Sequence, residues 1–251
     1  MALWLTAVAA LADQQYAMTG EDVYHIGSDP TTSRVEYTGT QRLTVQRQGK
    51  QARYDAQARY VRSSGEGTKH LDARFVQELG ATGSFEDRID EDPDFLTILN
   101  QPFAVQLDAT TMRDLSALRK KVPFDATSPL GGEAVLHGFL RPGTGGSVNG
   151  RPTVAVRFEA EGPMSGPLPD HTEATMNGKM RMDGSAYYSM DDAMLLALDA
   201  TLTIVAQLRS GQQIVPVRIV YRRTIRASES VSTPRPTPLP SDGGKEYRGI
   251  R

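Results

Sequence analysis

Apolar and polar residues alternate with a period of two along most of this chain, and that period predicts strands rather than helices. Leu43 and Val45 alternate with polar neighbours up to Gly49-Lys50, a hairpin turn signal. On the return, Ala52, Tyr54, Ala56, Ala58 and Tyr60 share one face, with Gln51, Arg53, Asp55, Gln57 and Arg59 on the other. Strands of this kind are half-buried, apolar toward a core and polar toward water. The second half repeats the pattern more strongly. Segments 135–140 and 153–158 flank a Gly-rich turn containing Asn149-Gly150. Met176, Met180, Met182, Ala186 and Tyr188 then lie on one face of a long strand that turns at Asp191-Asp192. Its partner presents Leu196, Leu198, Ala200, Leu202, Ile204, Ala206 and Leu208 on a single face. A final strand, 214–225, turns Val217, Ile219, Tyr221 and Ile225 inward and Arg218, Arg222 and Arg226 outward.

One segment has helical spacing. Residues 108–121 open with the cap candidates Asp108, Thr110 and Thr111, and Asp114 follows Thr111 by three. Met112, Leu115 and Leu118 share a face, and Arg119, Lys120 and Lys121 crowd the C-terminal end before Pro123. The predicted architecture is therefore mainly β: an antiparallel curved sheet or half-barrel with one central helix, in a single domain over residues 31–227.

The ends differ from this body. Residues 1–12 are a short apolar run closing on Ala10-Leu11-Ala12, the core and small-x-small site of a secretory signal peptide, although no Lys or Arg precedes the run. The run is too short to span a bilayer, which takes about 20 apolar residues. Residues 13–30 are polar and read as a loose segment, with Val23, Tyr24 and Ile26 as strand candidates. Residues 228–251 are Pro- and Ser-rich and read as a disordered tail. The expected location is outside the cytoplasm, periplasmic or extracellular. The sequence has no cysteine, so an exported domain must be stabilised by core burial alone. The formal net charge of −2 points to neither nucleic acid nor an anionic membrane as a partner.

The searches for catalytic and metal chemistry end in structural readings. Gly162-Pro163-Met164-Ser165-Gly166 lacks the glycine two residues before the serine of a nucleophile elbow. The histidines His25, His70, His137 and His171 fall in four separate segments, and a hydrolase would need His137 or His171 beside a serine and a carboxylate. Asp90-Glu91-Asp92-Pro93-Asp94 opens like a calcium loop, but Phe95 stands where glycine is needed and Gln101 where a bidentate glutamate is needed. Met180 and Met182, with Met176, are soft donors suited to Cu(I). An inward-facing strand that fills a core produces the same spacing, and core is the reading taken. No enzyme activity, metal or cofactor is expected. The Arg218, Arg222 and Arg226 stripe reads as a solvated face or guarded edge, or as a docking surface for an acidic partner.

Six of the nine methionines fall between Met164 and Met194. Methionine adapts to irregular apolar ligands, which suits a lipid-holding groove. The leader, the long amphipathic strands, the lone helix and the hairpin 176–208 together resemble exported bacterial β-sheet proteins of the lipoprotein-carrier class, the LolA-like and LppX-like half-barrels. The hairpin carries a G-x-x-Y-x-x-x-D-x-A-x-L-L-A-L run from Gly184 to Leu198. The resemblance covers architecture over residues 34–225 and departs from the class in having no lipobox cysteine. It implies a concave cavity for acyl chains without catalysis. The expected function is thus an exported, non-enzymatic binding protein for a hydrophobic, lipid-like ligand in a bacterial cell envelope. Met176, Met180, Met182, Leu198, Leu202 and Ile204 would line the cavity, with Met112, Leu115 and Leu118 packing over them. The alternative is a cavity-less β-sandwich interaction module that binds another envelope protein.

Overall fold

The structure is a computed structural model that describes residues 10–28, 32–48, 51–79, 85–90, 121–127, 135–168 and 171–228. The described chain is strand and turn throughout. Its first half contains β1 (Ala10–Ile26), β2 (Ser33–Gln48), β3 (Gln51–Ser64), β4 (Gly67–Leu79) and β5 (Phe85–Asp90). Its second half contains β6 (Val122–Thr127), β7 (Val135–Pro142), β8 (Gly146–Val148), β9 (Arg151–Leu168), β10 (His171–Ser189), β11 (Leu195–Ser210) and β12 (Gln213–Ala227). They form one 12-stranded antiparallel sheet in the order β5-β4-β3-β2-β1-β12-β11-β10-β9-β7-β6, with the short β8 added to β9. The sheet is open, since its path ends at β5 and β6. The first and last strands meet at its centre, where Tyr16 pairs with Ala227 and Ile26 with Val217.

The hairpins follow the turn chemistry of the sequence. Asn149 and Gly150 both take positive φ, 51° and 73°, as a two-residue primed turn requires. One expectation is corrected here. Residues 13–26, expected to be loose, belong to β1, which begins at Ala10 inside the segment read as a leader. Its inward positions are Gln14, Tyr16, Met18, Gly20, Asp22 and Tyr24, so polar side chains interrupt the apolar alternation. What makes it a strand is pairing on both sides, to β2 and to β12. The helix expected over 108–121 and the tail from 229 onward lie outside the described residues. Lys121, at the end of that predicted helix, leads directly into β6.

The sheet curls. Arg151 on β9 and Gln14 on β1 are four strands apart, about 19 Å in a flat sheet, yet Arg151 Nη1 reaches Gln14 Oε1 at 3.4 Å. Asn149 Nδ2 donates to the Ala227 carbonyl at 2.8 Å across three strands. Tyr54 on β3 and Tyr188 on β10 are close enough to interact electrostatically. The inward face of the whole sheet consequently forms one hydrophobic cluster, running from Val45 and Tyr54 to Met182 and Leu202. Glycines on inward positions permit the tight approach of neighbouring strands. A Cβ on Gly39, Gly138 or Gly178 would lie 2.0–2.3 Å from a carbonyl oxygen of the adjacent strand.

The outward face carries charge in cross-strand pairs. Arg42 meets Asp13 at 2.5 Å, Arg74 meets Asp55 at 2.6 Å, and Arg53 meets Glu78. Apolar inside and charged outside is the reverse of a strand barrel set in lipid. No helix among the described residues is long and apolar enough to cross a membrane.

Candidate functional site

The strand pairing brings together the residues expected to line a ligand cavity. Met180 of β10 is in register with Ile204 of β11, Met182 with Leu202, and Ala186 with Leu198. All point inward, and their exposure is 6% at Met176, 2% at Met180 and zero at Met182, Leu198, Leu202 and Ile204. They are therefore packed core in this state, each contributing about 1.5–3 kcal/mol by burial. Met112, Leu115 and Leu118 lie outside the described residues.

A polar feature of the interior was not anticipated. Arg223, on β12, is 2% exposed and among the largest fully buried side chains of the protein. Its Nη1 donates to Asp22 Oδ1 on β1 at 2.5 Å, and both side chains are at most 1% exposed. The guanidinium lies 4.5 Å from the centre of the Tyr37 ring, a cation–π contact. Tyr24 Oη donates to Asp22 Oδ2 at 3.4 Å, and the Tyr37 phenol lies close enough to Asp22 to feel its charge. Burial, then the Asp22 charge, pushes the Tyr37 phenol far above its ordinary range. Gly20 makes room for the arginine: a Cβ there would sit 2.6 Å from Arg223 Cδ. A buried ion pair of this type offsets its desolvation only through such additional hydrogen bonds. Arg223 shares the inward register of Tyr221 and Ile225, whereas Arg218, Arg222 and Arg226 face outward.

The outward Arg stripe is partly neutralised. Arg222 Nη1 pairs with Glu21 at 2.7 Å, and Arg226 pairs with Asp199 at 2.7 Å while also donating to the Leu198 carbonyl. Arg218 is exposed and makes no ion pair among the described residues. The surface depressions are instead lined largely by outward residues. One of about 690 Å³ spreads over β7 and β9–β12 and is bordered by Arg141, Arg157, Arg181, Asp183, Ser185 and Arg222.

His137 Nδ1 lies 2.7 Å from Asp125 Oδ1, both exposed on the paired strands β6 and β7. No serine hydroxyl is hydrogen-bonded to it among the described residues. Ser165 instead donates to Asn177 Oδ1 at 2.6 Å. Among the described residues, no group of three or more histidine, aspartate or glutamate side chains is placed to hold a metal ion. Of the acidic run resembling a calcium loop, only Asp90 is described, at the end of β5. The chain matches no family model, and a search of curated proteins finds none similar to it.

Proposed function

We propose that this protein is a non-enzymatic interaction module that meets its partner through the charged outward face of a curled sheet. The observation that carries this reading is the contrast between the two faces. The inward side chains from Met180 to Ile204 are packed to near-zero exposure, whereas a depression of about 690 Å³ lies across outward residues of β7 and β9–β12. An exported location in a bacterial cell envelope is part of the proposal and rests on the apolar run and Ala-x-Ala site at residues 1–12.

A second reading, binding of a lipid-like ligand on the inward face, is favoured by the curl and by the inward methionines. The sheet edges β5 and β6 are not paired to each other, so the two halves can spread without breaking a strand pair, and methionine side chains repack readily. Native mass spectrometry of protein purified gently from its own source, followed by titration with a fluorescent fatty acid, separates the readings. A clean apo mass with no fatty-acid uptake supports the interaction module. A retained lipid-sized adduct, lost in a folded Met182→Gln variant, overturns it in favour of the second reading.

A further inference from the structure

The outward rows of the sheet set Arg141 of β7, Arg157 of β9 and Ser185 of β10 side by side. Arg141 is in register with Arg157, and Arg157 with Ser185. Like charges directly opposite each other destabilise a strand pair, so this row is a local cost to the fold. The neighbouring carboxylates are already engaged. Glu159 is shared between Arg141 at 2.6 Å and Lys121 at 3.6 Å. Asp199, which continues the row, is held by Arg226 and Thr224. Glu21 takes Arg222, and Asp183 lies 3.8 Å from Arg181. Arg157 is exposed and has no hydrogen-bond or ion-pair partner among the described residues. Arg141, Arg157 and Ser185 all border the depression of about 690 Å³.

We infer that this row is an oxyanion-binding site, in which a carboxylate or phosphate group sits between the Arg141 and Arg157 guanidinium groups. Ser185, in register with Arg157 on β10, borders the same depression and can add a hydroxyl donor to a bound anion. Guanidinium presents paired N–H groups that match both anions in a fork, and charge-assisted bonds of this kind are about twice as strong as neutral ones. Glu159 already answers the charge of Arg141, and an anion seated there would answer that of Arg157 as well. The inference rests on the reading that the outward face is the working face, and it supplies the chemistry that this face recognises.

Isothermal titration of the full chain at low ionic strength, where surface charge is least screened, tests it with inorganic phosphate and then citrate. Arg157→Gln should weaken binding by about 10- to 100-fold. Ser185→Ala should weaken it less, and Arg218→Gln, an exposed arginine elsewhere on β12, should leave it unchanged. Arg157 is exposed, so circular dichroism of its variant should match the parent. Vesicles of phosphatidylglycerol and of phosphatidylcholine distinguish the source of the anion. Arg157-dependent binding to the former alone points to a lipid headgroup, and phosphate binding without vesicle binding points to a free anion; each supports the site. Equal weakening by Arg157→Gln and Arg218→Gln, or no saturation at millimolar phosphate, overturns it. A lipid adduct on the inward face beside Arg157-dependent phosphate binding would remove the outward-face reading while leaving the anion site standing.

Discussion

The two halves of the sheet use the same alternation but fill their inward faces differently. In β1–β5 the inward positions set large tyrosines against small residues: Tyr16, Tyr37, Tyr54 and Tyr60 with Ala56, Ala58, Ala73 and Gly39. The Tyr37 and Tyr60 rings pack 6.1 Å apart, and a Cβ on Gly39 would collide with Tyr60. In β9–β12 the inward face is mainly aliphatic, with Val156, Met180, Met182, Leu198, Leu202 and Ile204, although Phe158, Tyr188 and Tyr221 are buried there too. The first half packs aromatic rings around small residues, and the second packs mainly aliphatic volume. Between them, at the β1–β12 junction, sits the Asp22–Arg223 pair. A period of two therefore specifies that a strand forms and which way it faces, while side-chain size and polarity decide how its face is filled.

The comparison can be broken first at the junction. Arg223→Met leaves Asp22 buried and uncompensated and should cost about 3–5 kcal/mol in urea unfolding, with Asp22→Asn restoring much of the loss in the double variant. A cost below about 1 kcal/mol would mean that the pair is solvated rather than buried. Next comes apolar volume: Leu202→Ala, fully buried in the aliphatic half, should cost about 2–5 kcal/mol through lost burial and the cavity left behind. On the tyrosine side the corresponding change is smaller. Tyr16 Oη donates to the Leu195 carbonyl at 2.9 Å, so Tyr16→Phe removes one buried hydrogen bond and should cost about 1–3 kcal/mol, because the carbonyl is left unsatisfied. If Tyr16→Phe proves as costly as Leu202→Ala, the distinction between the halves fails.

The smallest effect is spectroscopic. Burial raises the phenol pKa of Tyr16, Tyr37 and Tyr188 in the folded state, aided at Tyr37 by the Asp22 charge. Because the folded values lie above the unfolded one, this contribution is fully present below about pH 10 and declines as pH rises past it, where only the unfolded chain releases the proton. Tyrosinate absorbance should therefore rise in two stages on alkaline titration. Exposed phenols ionise first, and the buried set follows together with the loss of near-ultraviolet ellipticity. A single stage with the fold intact would show that these hydroxyls reach solvent.

Much of the sheet was legible because its strands carry their own alternation. The inward sets of β3, β10 and β11 and the turn at Asn149-Gly150 stand where the period of two placed them. β1 was not legible. Gln14, Gly20 and Asp22 occupy inward positions, and their burial makes sense only once β2 and β12 flank them. Arg223 escaped for the same reason, since nothing local to β12 reveals a carboxylate contributed by the opposite end of the chain. The row Arg141, Arg157 and Ser185 depends on the register of three strands, which no single stretch of sequence encodes. The inward glycines were visible, but their role in curling the sheet appears only with the carbonyl of the neighbouring strand in place.

The pairing of β1 with β12 also sets the order in which the molecule can be completed. The first strand waits on the ribosome, or on emergence from any export channel, until the last one is available, and its long edge stays open meanwhile. Contacts between opposite ends of a chain slow folding, and an open edge invites pairing with other chains. Synthesis rate and any chaperone that covers β1 thus become part of what determines the yield of this protein. A circular permutant that joins Ala227 to Asp13 through a short linker and opens the chain between β5 and β6 would make the slowest contact local.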